Sequence, residues 1–120
     1  AGAFDPIHDG HIEVARASVN QLGLDMLYFM VESRPWGDKQ PVELKHRQTM
    51  LDLSTEADEK LALLSLPDDQ FSIDRTLAEL EEKFPEDELF FVFGGDVFMH
   101  MNPEQWPGLE KLFKHYIVVF

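Results

Sequence analysis

Residues 1–31 read AGAFDPIHDGHIEVARASVNQLGLDMLYFMV, and three patterns follow one another in them. The first ten positions hold two glycines, a proline and two aspartates, the composition of a loop. Over 10–22 the apolar residues Ile12, Ala15, Val19 and Leu22 recur at helical spacing, and Gly23 stands where a helix-terminating glycine belongs. The run MLYFMV, 26–31, is continuous and apolar, as in a short strand buried on both faces. Loop, helix and buried strand in that order are the beginning of an α/β unit.

The rest of the chain repeats the alternation. A polar stretch with Pro35, Gly37 and Pro41 leads to a helix over 42–56, with Leu44, Met50, Leu51 and Leu53 as its apolar side. A weaker strand over 61–66 ends in the turn Pro67-Asp68-Asp69, and a helix over 73–84 places Leu77, Leu80 and Phe84 on one face. LFFVF, 89–93, is a second buried-type strand and ends in Gly94-Gly95. A short helix starts at Asp96, another covers 108–114, and YIVVF, 116–120, is a third strong strand. Strands alternating with helices require parallel pairing through crossovers, so the expected class is α/β: a Rossmann-like open parallel sheet with helices on both faces. The chain opens in a loop and stops inside a strand. The expectation is therefore a single partial domain over 1–120, lacking its first strand and its C-terminal part.

Composition limits what such a domain does. At 120 residues, 44% hydrophobic and 28% charged, the chain reads as one soluble globular domain rather than a disordered segment. No apolar run approaches the roughly 18–20 residues of a membrane span. The absence of cysteine excludes a disulfide scaffold, thiolate zinc and a cysteine nucleophile. It also suits a reducing, cytoplasmic setting. A net charge of −13 repels nucleic acid and anionic lipid, so neither is an expected partner. Against that background 34–47 is net positive, with Arg34, Lys39, Lys45 and Arg47 against Asp38 and Glu43. Such a window suits a small anion; chance clustering of solvated side chains explains it equally well.

The chemistry is concentrated in GAFDPIHDGH, 2–11. A glycine loop running into a helix N-terminus offers backbone N–H groups and the positive end of a dipole, which suit phosphate. His8 and His11 are three apart and share one side of the first turn, where two imidazoles can donate to phosphate oxygens and to charge that grows in a transition state. Gly10 between them allows close approach to the backbone. Two histidines three apart also fit one capping residue and one surface residue. His46 is open in the same way, between site and helix surface, whereas His100 and His115 read as structural. Neither cysteines nor clustered histidines give metal-ligand spacing, so no protein metal site is expected.

The string matches every fixed position of G-x-F-D-P-x-H-x-G-H and so resembles the signature of the nucleotidyltransferase superfamily. Within it the chain looks most like the nicotinate-nucleotide (nicotinamide-nucleotide) adenylyltransferases. Pro35 with Lys39, then His46-Arg47 and Met50, resembles that branch's loop and H-R-x-x-M helix. Phe91 to Asp96 resembles its strand ending in G-x-D, and Trp106 with the helix and the I-V-V strand after it resembles its C-terminal segment. The resemblance implies adenylyl transfer from ATP, with Mg²⁺, to a pyridine mononucleotide. It implies phosphate binding by His8 and His11, charge neutralisation by Lys39 and Arg47, and nucleotide contacts from Gly2, Ala3, Phe4, Asp5 and Gly10. It also implies mononucleotide contacts from Asp96, Thr76 and Trp106. Three departures stand out. Arg34-Pro35-Trp36-Gly37-Asp38-Lys39 replaces P-P-H-K, FSIDRTL at 71–77 only approximates Y-T-x-D-T-L, and the C-terminal I-S-x-T-x-x-R is absent. The alternatives are transfer to another acceptor, such as phosphopantetheine, by an adenylyl- or cytidylyltransferase, and a nucleotide-binding module without catalysis.

Overall fold

The computed structural model describes residues 1–34 and 42–120, and the chain divides into two compact units, Ala1–Gln70 and Phe71–Phe120. In the first unit the order is α1 (Asp9–Leu22), β1 (Leu27–Phe29), α2 (Leu44–Thr55) and β2 (Leu61–Leu63). β1 and β2 pair in parallel with Leu27 opposite Leu61, Tyr28 opposite Ala62 and Phe29 opposite Leu63. Just past β1, Val31 makes an isolated parallel bridge with Gly2. Gly2 donates its N–H to the Met30 carbonyl at 3.0 Å, and its own carbonyl accepts from Glu32 at 2.8 Å. The start of the glycine loop is thereby stitched beside the end of β1.

Helical periodicity and burial agree closely in α1. Ile12, Ala15 and Val19 enter a core with Ile7, Phe29, Val31, Leu51 and Leu61. Gly23 ends the helix at φ 63°, a left-handed conformation that glycine adopts without a Cβ penalty. Leu22, expected on the apolar face, is 42% exposed, because it is the last helical residue and projects past the packed turns. Leu53 of α2 is likewise solvent-facing at 62%, while Leu51 is fully buried. Two residues along a helix turn the side chain through about 200°, so both cannot face one core. In β1, Phe29 is buried but Tyr28 is exposed, so the run is not covered on both faces there.

The second unit contains α3 (Ile73–Lys83), β3 (Phe90–Phe93), α4 (Gly95–Met99), α5 (Leu109–Leu112) and β4 (Tyr116–Val119). β3 and β4 are parallel and in register from Phe90–Tyr116 to Phe93–Val119. Ile73, Leu77, Leu109 and Leu112 form its buried core, against which Phe71, Phe91, Phe93, Met101, Trp106 and Ile117 pack. Each unit is thus a parallel strand pair joined through helix. This is the α/β class with the parallel pairing that the sequence pattern implies. The strands are shorter than the apolar runs: β2 stops at Leu63, where the run continues to Leu66, and β3 begins at Phe90 rather than Leu89.

Candidate active site

His8 is the N-cap of α1, in extended conformation, and its Nδ1 accepts the N–H of Gly10 at 3.1 Å. His11 returns the bond: its Nδ1 accepts the N–H of His8 at 3.2 Å. The arrangement is a capping box built from imidazoles, which satisfies N–H groups that the first helical turn leaves without intrahelical partners. It also decides the tautomer. A ring nitrogen that accepts carries no proton, so each neutral imidazole holds its proton on Nε2 as a donor. The rings stack with centroids 3.7 Å apart and planes 24° from parallel. The ring of Phe4 packs edge-to-face with His11, centroids 5.0 Å apart, and with Phe29, centroids 5.4 Å apart, so Phe4 joins the pair to the core.

Burial, and after it the neighbouring charge of His8, hold the His11 pKa below the ordinary histidine value. Both causes favour the neutral ring that the capping bond requires. Gly10 has a local reason to be glycine. A Cβ there would stand 2.9 Å from Cε1 and 3.0 Å from Nδ1 of His8, so the group that approaches this backbone most closely is the imidazole itself.

The preceding loop turns at Phe4, whose φ of +46° is left-handed. The Asp5 carboxylate accepts the N–H of Val42 at 3.1 Å, joining the loop to the approach of α2. Arg47 lies beneath. It is 1% exposed, and its guanidinium donates to four backbone carbonyls: Val42 at 2.6 Å from Nε, Ala3 at 2.8 Å and Glu32 at 2.7 Å from Nη1, and Ser33 at 3.3 Å from Nη2. The sequence reading assigns this side chain to phosphate charge; the geometry commits four of its five N–H groups to main chain instead. The surface charge of the basic window accordingly excludes Arg47, while Arg34 and Lys45 are exposed. Lys39 lies outside the described residues.

In the second unit Trp106 is half-buried, with its ring 5.9 Å from Phe71 and 6.2 Å from Phe93. Thr76 is buried, and its hydroxyl accepts the N–H of Ser72 at the start of α3. Asp96 is exposed in the first turn of α4, and its carbonyl lies 2.6 Å from Nδ1 of His100. His46 is exposed and sits 3.7 Å from Glu43 within its own helix start.

The profile described as Cytidylyltransferase-like matches residues 1–120. The chain belongs to this family. It is 32% identical over 124 residues to a probable nicotinate-nucleotide adenylyltransferase of Leifsonia xyli subsp. xyli, covering 98% of this chain and 60% of that protein. A protein of Thermus thermophilus with the same description is 37% identical over 116 residues, covering 92% and 60%. One of Streptococcus pyogenes serotype M3 is 32% identical over 118 residues, covering 94% and 55%. The chain thus spans about three fifths of the length of these curated relatives.

Two residues of this cytidylyltransferase-like chain escape a reading by motif. Glu32 is buried, and its carboxylate accepts from the Gln70 side-chain amide at 2.9 Å. Gln70 in turn accepts the N–H of Arg34 at 3.2 Å, and Ser33 is tied to Asp69 through main chain and hydroxyl. The sequence signal was slight: a carboxylate directly after a six-residue apolar run. Its partner lies 38 positions away, beyond any local pattern. Chemically, the first unit offers two neutral imidazole donors at a helix N-terminus, over a loop braced by a buried cation.

Proposed function

We propose that the full-length protein carrying this chain transfers the adenylyl group of ATP to nicotinate or nicotinamide mononucleotide, forming the pyridine dinucleotide of NAD biosynthesis and releasing pyrophosphate. The observation that supports the reading above all others is the stacked His8–His11 pair, whose Nδ1 atoms both accept main-chain N–H groups and so leave the proton of each neutral ring on Nε2. In such a transfer an oxygen of the mononucleotide 5′-phosphate forms a bond to the α-phosphorus, and the bond from that phosphorus to the pyrophosphate oxygen breaks. Charge grows on the oxygens in between, where pre-positioned donors lower the barrier.

In this reading His8 and His11 donate to the reacting phosphates, and the backbone of Gly2 to Phe4 with Asp5 and Gly10 borders the nucleotide. Lys39 supplies positive charge. Asp96 and Trp106 contact the mononucleotide, whereas Thr76, expected from the sequence to join them, is buried with its hydroxyl on the Ser72 N–H and braces the start of α3 instead. Residues 1–120 then belong to a single nucleotidyltransferase domain of a cytoplasmic protein. Mg²⁺ enters as the counter-ion of the triphosphate. No helix among the described residues is long and apolar enough to cross a membrane.

The test is pyrophosphate release by the full-length protein with ATP–Mg²⁺ or CTP–Mg²⁺ and each acceptor in turn. Release with ATP and nicotinate or nicotinamide mononucleotide is the expected result. Release with phosphopantetheine alone, or only with CTP, would move the protein to another branch of the family. Binding of ATP without release from any pair would make it a nucleotide-binding module.

A further inference from the structure

Arg47 is a buried cation that faces carbonyl oxygens. Removing a guanidinium from water is costly, and that cost is offset only where charge-assisted hydrogen bonds replace hydration. Four such bonds are present, and they converge from three separate stretches of chain. Ala3 belongs to the glycine loop, Glu32 and Ser33 follow β1, and Val42 precedes α2. One planar side chain therefore fixes the loop, the strand end and the helix entry with respect to each other.

The bond to Ala3 has a directional consequence. A trans peptide is planar, with its C=O and N–H on opposite sides. When Arg47 draws the Ala3 carbonyl inward, the N–H of Phe4 is turned the other way. Gly2 is held by the strand end on one side of this peptide, and Asp5 is held by Val42 on the other. The left-handed φ at Phe4 is the turn between them. The ring of Phe4 then meets His11, so the same fixed peptide sets the packing of the histidine pair.

We propose that Arg47 is a positioning residue for phosphate transfer: by binding the Ala3 carbonyl together with those of Glu32, Ser33 and Val42, it aims the Phe4 N–H and seats His11, without touching phosphate. Its effect on catalysis rests on the adenylyl-transfer reading above; its effect on loop geometry does not. Lysine retains the charge but lacks the rigid fork that spans four acceptors. A residue that neutralised phosphate would be largely rescued by lysine, and a positioning residue would not.

The experiment uses the full-length protein and its Arg47→Lys variant. At a temperature well below the variant's melting point, kcat should fall on the order of 10- to 100-fold while KM for ATP changes far less, the pattern of misplaced reacting groups. Amide exchange at Gly2 and Glu32, whose N–H groups stitch the glycine loop to the end of β1, should accelerate in the same variant. Wild-type kcat in a folded Arg47→Lys protein would overturn the proposal, and so would unchanged exchange at both amides. Should wild type release no pyrophosphate with any acceptor, the functional reading fails and the exchange comparison alone decides the geometric claim. Should Arg47→Lys not fold, the ¹⁵N spectrum of wild-type Arg47 decides. Slowly exchanging guanidinium protons that stay in place under saturating ATP–Mg²⁺ support positioning; coupling to phosphorus on binding overturns it.

Discussion

The two units share a construction, a parallel strand pair joined through helix, and fill it differently. Between Ala1 and Gln70 the buried set includes Ser18, Glu32, Arg47 and Thr55 beside a core that is mainly aliphatic, with Phe29 its buried ring. Between Phe71 and Phe120 only Thr76 is a buried polar residue, and aromatic rings close the core around Leu77, Leu109 and Leu112. Buried polar groups contribute little net stability compared with apolar packing. What they add is direction, since each fixes a particular carbonyl or N–H. The first unit is therefore the one whose peptide groups are aimed. The second is stabilised chiefly by area.

The largest expected effects test whether each core stands on its own. Leu51→Ala and Leu112→Ala should each lower the unfolding free energy by about 2–5 kcal/mol, as read from urea denaturation. Hydrogen exchange should quicken in α1 and β1 for the first and in α3 and β4 for the second. Equal acceleration everywhere in both variants would erase the distinction between the units.

His11→Ala in the full-length protein should slow the chemical step by about 2.7–4 kcal/mol, through loss of one positioned donor. Because Nδ1 of His11 also accepts the N–H of His8, it should cost about 0.5–2 kcal/mol of stability as well, the usual value of a lost cap. Rapid-quench kinetics and thermal melts read the two quantities separately. A variant with full turnover contradicts the assigned role.

Gly10→Ala sharpens the contrast by its sign. In an ordinary helical position alanine is favoured over glycine by about 0.8–1 kcal/mol. Here the new methyl meets the His8 ring, so stability should fall instead, and melting temperature shows which effect wins.

The smallest effect is pH dependence. His11 has a lowered folded pKa, so the unfolded chain binds the proton more tightly. Its contribution to stability is complete above the unfolded value of about 6.5 and is lost as pH falls through the lower folded value. Melts across that window should show wild type losing more than His11→Ala. An identical slope in the two proteins refutes the burial of His11.

Much of this was legible from local pattern. Ile12, Ala15 and Val19 declared the buried face of α1, and Gly23 its end, because helical spacing and the left-handed cap are properties of neighbouring residues. The pairing of His8 with His11 was legible for a related reason: an N-cap residue and the third helical residue meet across the first turn. Their tautomer was not, since it depends on which main-chain N–H each ring meets. The exposure of Leu53 beside buried Leu51 also escaped composition, because a hydrophobic count does not resolve rotation about the helix axis.

By itself the sequence determined the alternation of strand and helix, the parallel pairing that follows from it, and the meeting of His8 with His11 at the start of α1. Only the tertiary structure decided what Arg47 does. A guanidinium looks the same in sequence whether it faces phosphate or peptide. Its role depends on carbonyls from Ala3 and Glu32, 44 and 15 positions away, which only the folded chain brings to its fork.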